Sequence, residues 1–223
     1  MSHKNLGQYR GELSTSDIAA GMSAARRNAF RLLADAKLLL ERGRYASATA
    51  LAVLSIEESG KCPILRGMST MESQDAKKEW KDYRSHRSKN TMWILPDLLR
   101  TGKRKLHELK DAVDRKGTHT GVLDNLKQVA TYTDCLGDKH WSEPQKVIGK
   151  ALATSVVAIA GCFTNQERVS VREMELWVEH MTTYVDRSDE QSCAALKAWF
   201  AAMIAEGLIK ETEAEHFQNF IDS

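Results

Sequence analysis

Apolar residues recur at helical spacing along most of the chain, and strand-like alternation is scarce. From Ser16, which reads as an N-cap, to about Arg42, the stripe of Ile18, Met22, Ala25, Ala29, Leu32, Leu33, Ala36 and Leu40 predicts one long amphipathic helix. Gly43 ends it. A second helix runs from Arg44 or Tyr45 to about Cys62, ahead of Pro63. Its alanines (Ala46, Ala48, Ala50, Ala52) allow close packing, and Leu51, Leu54 and Ile56 add bulk. Two helices joined at Gly43 predict an antiparallel hairpin. A third helix is expected over Ser73 to Leu95, ending or kinking at Pro96. A basic helical segment follows from Asp97 to Val113, then the loop "DRKGTHTG", then a short helix over Val122 to Tyr132.

A second loop, "TDCLGDKHWSEP", leads into the most apolar helix, Glu143 to Phe163. Ser142 and Gln145 have the spacing of a capping box, with Pro144 tolerated in the first turn. Beyond it, helices are predicted over Val169 to Val185 and over Asp189 to Glu206, the latter opened by a box at Ser188 and Gln191. A box at Thr212 and Glu215 opens a short terminal helix. The pattern predicts an all-α antiparallel bundle with extra C-terminal helices. The 223 residues divide into an N-terminal extension (1–15), a helical domain (16–163) and an acidic helical extension (164–223).

Charge changes this picture. The net charge is only +2, but Lys77 to Lys116 holds 13 Lys/Arg against 6 Asp/Glu, whereas Thr164 to Ser223 holds 5 against 12. A basic middle beside an acidic tail predicts a polyanion-facing surface and a separate outer segment. Cys62, Cys135, Cys162 and Cys193 show no CxxC pairing and read as reduced thiols rather than a disulfide frame or zinc site. No signal peptide is legible at the N-terminus, and "ALATSVVAIAGCF" is too short to span a bilayer, so a cytoplasmic protein without a membrane partner is expected.

The candidate chemistry sits in "YRSHRSKN", where His86 stands among Arg84, Arg87 and Lys89. Positive neighbours disfavour the imidazolium. A neutral histidine beside phosphate-binding cations suits metal-free RNA cleavage, although a solvated basic helix face has the same composition. His86 and Lys89, three apart on a helix, share a face. Glu57 and Lys61 form an i,i+4 pair, while Glu58 follows Leu51 and Leu54 on the apolar side. Glu58 is therefore expected to face the interior and hold a cation or His86. His107 reads as a surface residue, His119 as part of a loop, and His140 as an anchor of the loop before the core helix. No pair of donors has zinc or two-metal spacing, and no nucleotide-binding glycine loop occurs.

Three pieces resemble the AbiV family of phage abortive-infection proteins: "LLLERGRYASATALAVLSIEESGK" (Leu38 to Lys61), "RSHRSK" (Arg84 to Lys89) and "TYTDCLGDKHWSEP" (Thr131 to Pro144). The resemblance covers about Ser16 to Phe163. It implies a HEPN-like bundle, work as a homodimer with the groove at the two-fold, and metal-independent endoribonuclease activity without a cofactor. The implied partners are RNA, not DNA, and a phage-encoded activator protein. His86, Arg84, Arg87, Lys89 and Glu58 fall to catalysis. Lys81, Lys61, Arg100, Lys103, Arg104 and His107 fall to RNA binding. The superfamily's nuclease pattern is Arg, four to six residues, then His. Lys81 replaces that Arg before His86, and Arg100 before His107 fits it formally. A non-catalytic sensor or scaffold, or an RNA-binding module without cleavage, are the other functions this composition allows.

Overall fold

The alanine-rich second helix is the centre of the bundle. The computed structural model describes residues 7–70, 76–103, 106–182 and 188–209, without the side chains of residues 76, 106, 107 and 189. Helix α1 (Thr15–Glu41) and α2 (Tyr45–Ser59) form the expected antiparallel hairpin, turning at Gly43 with φ +71°. That left-handed value suits a residue without Cβ. The N-cap of α1 is Ser14 rather than Ser16. The Ser14 hydroxyl accepts from the Asp17 amide and the Asp17 carboxylate accepts from the Ser14 amide, so the partner at the third helical position selects the cap.

Helix α2 packs against α1, against α8 (His119–Thr131) and against α10 (Lys150–Phe163). Enclosure on three sides requires small residues. Ala48, Thr49, Ala52, Val53 and Ser55 are all fully buried, whereas Leu51 and Leu54 are only half-buried at the rim. The Ser55 hydroxyl donates to the Ala29 carbonyl at 2.7 Å, stitching α2 to α1. Leu33, Ile56, Leu123, Val156 and Val157 complete the main core.

At the end of α2, Gly60 leads into α3 (Lys61–Met68) and touches the backbone of the segment that carries His86. A Cβ on Gly60 would stand 1.9 Å from the Lys89 carbonyl oxygen. Gly60→Ala must therefore push the two backbones apart, at a cost of about 1–3 kcal/mol. A fall in melting temperature of about 2–12 °C is expected. An unchanged midpoint in a thermal scan would show that this close approach does not hold the segment.

The expected third helix is interrupted. It comprises α4 (Ala76–Arg84) and a single turn, α5 (His86–Lys89), separated by Ser85. Ser85 is extended, and its hydroxyl accepts from the Ser88 amide as a new N-cap. A 3₁₀ turn (Met92–Ile94) follows, then α6 (Leu95–Arg100), in whose first turn Pro96 is accommodated. After α7 (Leu106–Leu109) and a second 3₁₀ turn (Lys110–Val113), helix α8 starts at His119, inside the expected loop. His119 Nε2–H donates to the Thr91 carbonyl and Trp93 Nε1–H to the His119 carbonyl, each at 3.0 Å. These bonds draw the start of α8 onto the segment after α5.

The Ser142 capping box does not form. Ser142 lies in β2 (His140–Ser142), paired antiparallel with β1 (Asp134–Leu136), and its hydroxyl bonds the Asp134 backbone. Glu143 becomes the N-cap of α9 (Pro144–Val147), and extended Ile148 and Gly149 separate α9 from α10. The box at Ser188 and Gln191 forms, opening α12 (Asp189–Ala205). The Thr212 and Glu215 box lies outside the described residues. Helix α11 (Val171–Met181) packs on α1 and α12, with Met174 among Ile18, Met22 and Leu65. Arg66 of α3 ion-pairs with Glu173 and lies over both Trp177 and Trp199, each 5.1 Å from the ring centroid. No described helix is long and apolar enough to cross a membrane.

Candidate functional site

One buried carboxylate organises the region around His86, and it is Glu57. Its side chain is 3% exposed, near the end of α2 and enclosed by α5 and α8. A charge at such a place requires partners, and four side chains meet there. His86 Nδ1 lies 2.7 Å from Glu57 Oε2, Lys127 Nζ lies 2.7 Å from Oε1, and Lys89 Nζ lies 3.6 Å from Oε2. Asp124, one turn before Lys127 on α8, stands 3.0 Å from the Lys127 ammonium. Burial alone would lower the Lys127 pKa, but the hydrogen bonds it donates to Glu57 and Asp124 outweigh it and hold the ammonium above its ordinary value. For Lys89 the balance reverses: burial outweighs the pull of Glu57, and its pKa is lowered.

These contacts select a tautomer. Glu57 is acceptor-only as a carboxylate, so the 2.7 Å contact requires a proton on His86 Nδ1. The approach of Lys127 Nζ to the same nitrogen at 3.0 Å is then a close contact and not a hydrogen bond. In the neutral ring the lone pair is left on Nε2. The His86 side chain is 53% exposed, whereas its Glu57 anchor is buried. Glu57 thus fixes the ring from beneath and leaves an exposed imidazole able to accept or donate a proton.

Glu57, His86 and Asp124 offer three donor atoms within 4.8 Å of one another, a spacing that could hold a metal ion. The Lys127 ammonium stands among them, within 3.0 Å of a donor atom of each. This donor set therefore carries an internal cation, and a metal would have to displace it.

The cations crowded around His86 in the sequence diverge in space. Arg84 lies over the Trp80 ring, 4.8 Å from its centroid, and donates to the Trp80 and Tyr9 carbonyls. It fixes the N-terminal segment. Arg87 is exposed, its guanidinium beside Gly121 of α8. Lys89 turns inward to Glu57. The expectation that Glu58 holds His86 is corrected. Glu58 is at the half-buried rim and pairs with Lys61 at 2.6 Å, in place of the expected Glu57–Lys61 pair. The cause is the packing of α2: its small residues face the core, so the leucine side that placed Glu58 inward is the rim. Lys61 also lies over the Tyr83 ring. Lys81 is exposed on α4, and Arg100 is exposed and paired with Asp97 on α6. Lys103 is half-buried just beyond α6. Arg104 and the His107 side chain lie outside the described residues.

Lys127 and Asp124 were missed by sequence reasoning. Lys127 falls four residues after Leu123 and three before Ala130, both buried, so a cation on that stripe was the legible signal. Arg115 is a second such case. It donates to buried Glu79 and to Asp82, locking α4 to the loop before α8.

The AbiV family model of the HEPN superfamily matches residues 17–165. The chain belongs to the AbiV family. It is a HEPN-type abortive-infection protein. The match takes in Glu57, His86, Lys89, Asp124 and Lys127, so the whole cluster lies in the AbiV part of the chain, whereas α11 and α12 lie beyond it. No curated protein and no solved structure matches the chain.

Proposed function

We propose that this AbiV protein is a metal-independent endoribonuclease, triggered by phage infection, with His86 as its acid/base. The observation that carries this reading is the Nδ1–H bond from exposed His86 to buried Glu57, which frees Nε2 for proton transfer. Nε2 removes the proton of an RNA 2′-hydroxyl. The oxygen attacks the adjacent phosphorus, the bond to the 5′-oxygen breaks, and that oxygen takes up a proton. The products are a 2′,3′-cyclic phosphate and a free 5′-hydroxyl. Exposed Arg87 and Lys81 meet the phosphodiester charge. Glu57 and Lys127 act through the imidazole as positioning residues.

One imidazole cannot serve efficiently as base and acid at once on opposite sides of the phosphorus. A second copy of the chain would supply the second His86, which supports a homodimer with both rings in one RNA cleft. Light scattering should give about twice the 25.0 kDa chain mass. Cleavage is expected to persist in EDTA, to leave cyclic phosphate ends, and to stop at a 2′-deoxy position. Divalent-dependent cleavage leaving 3′-hydroxyl ends would refute the mechanism. Salt-sensitive RNA binding without products would identify a binding module instead.

A further inference from the structure

A cavity of about 200 Å³ lies at the junction of α2 and α3, and Lys89, the ion-pair partner of Glu57, lines it. Arg26, Lys89, Cys62, Ser59 and Asn165 supply its polar lining, and no carboxylate lines it among the described residues. Ile56, Pro63, Met92 and Phe163 supply apolar walls. Two cations on one small cavity repel one another unless an anion joins them.

Both cations have donors to spare. The Lys89 side chain is 8% exposed. Its ion pair with Glu57 is 3.6 Å long, beyond hydrogen-bond reach, whereas His86 and Lys127 approach the same carboxylate at 2.7 Å. The Lys89 ammonium makes no hydrogen bond among the described residues, yet it lines the cavity. Arg26 gives one N–H to the Glu167 carbonyl at 3.1 Å. It also faces the Cys62 thiol in the same lining, and the N–H groups left over on its planar fork are suited to a phosphate.

We infer that this cavity binds a small phosphorylated molecule with an apolar or aromatic body, its phosphate between Lys89 and Arg26 and its body against Met92 and Phe163. The volume holds a phosphate and about one ring, so the remainder of a mononucleotide stays in solvent, and no polynucleotide passes through. Lys89 also neighbours Glu57, so a phosphate that draws its ammonium into the cavity changes the charge around the carboxylate that holds His86. The cavity is then a place where a small anion adjusts the acid/base residue. Neither the binding nor this coupling requires that the chain cleave RNA.

Calorimetry with adenosine 5′-monophosphate and with inorganic phosphate tests the site. The nucleotide should bind the whole protein at least tenfold more tightly than phosphate, since only it meets the apolar walls. Arg26→Gln should weaken nucleotide binding at least tenfold. Asn165→Asp is the second variant. It keeps the Oδ1 that accepts from the Glu167 amide and places a carboxylate in the lining, so it should weaken binding similarly. The His86 ring resonances should shift on nucleotide addition in the parent protein and not in Arg26→Gln. No nucleotide binding at millimolar concentration, equal affinity for phosphate, or binding indifferent to both variants would overturn the site. Displacement of the nucleotide by a short RNA without a terminal phosphate would assign the cavity to the RNA path and overturn it as well. Binding without a His86 shift would overturn the coupling.

Discussion

RNA cleavage by His86→Ala protein is expected to fall by roughly 10²–10⁴-fold, the range for loss of a general acid or base, and phage protection to fall with it. The fold should survive. The ring is half exposed, and Glu57 keeps Lys127 and Lys89 as partners when the imidazole is gone. The lost hydrogen bond should cost about 1 kcal/mol, or about 2–4 °C in melting temperature. A large loss of activity with a small loss of stability is the pattern to look for in cleavage rates and thermal scans of the same preparation. Full cleavage and full protection by a stably expressed His86→Ala protein would remove this residue from the chemistry. His107→Ala is the companion variant, because Arg100 and His107 have the superfamily's usual spacing. A loss confined to His107→Ala would move the site to that segment.

What could be read in advance follows the range of the interactions concerned. The α1–α2 hairpin was legible because Gly43 and a regular stripe act over a few residues. The box at Ser188 was legible for the same reason. The box at Ser142 failed because a non-local partner competed: the Asp134 backbone, across the hairpin, holds the hydroxyl. Ser85 shows the opposite error. Its local cap lies inside the helical run of "EWKDYRSHRSK", whose periodicity masks it. The site divides similarly. His86 stood out by its charged neighbours and by the AbiV resemblance. Its partners did not, because which of Glu57 and Glu58 faces inward depends on which side of α2 meets α1, α8 and α10. Bulk pointed to the leucine side, but three helices closing on α2 leave room for alanine, serine and threonine. The dispersal of Arg84, Arg87 and Lys89 to three different destinations depends on the break at Ser85 and was not legible from composition.

Glu57→Gln should be the most destabilising single change in the cluster. Glutamine keeps the shape and removes the charge that two buried ammonium groups share. Lys127 retains Asp124, but Lys89 is left with no other carboxylate within ion-pair distance among the described residues. Breaking a buried pair from one side costs about 3–5 kcal/mol, because the remaining charge stays uncompensated. At this chain length that is a fall on the order of 10 °C in melting temperature. Glu58→Gln is the contrast: its pair with Lys61 is at the rim, and its loss should cost about 1 kcal/mol or less. The pH dependence has a definite sign. The Lys127 pKa is raised in the fold, so the stability it contributes is complete below the ordinary lysine value and is lost as pH rises through the folded one. In Glu57→Gln the acceptor opposite Lys127 loses its charge and raises the ammonium pKa less, so this alkaline loss should shrink. The double variant Glu57→Gln/Lys89→Met removes the stranded charge with the carboxylate. It should recover part of the lost stability, and the cycle isolates the pair. Equal melting temperatures for the parent protein and Glu57→Gln, or a larger loss in Glu58→Gln, would show that Glu57 does not hold this cluster together.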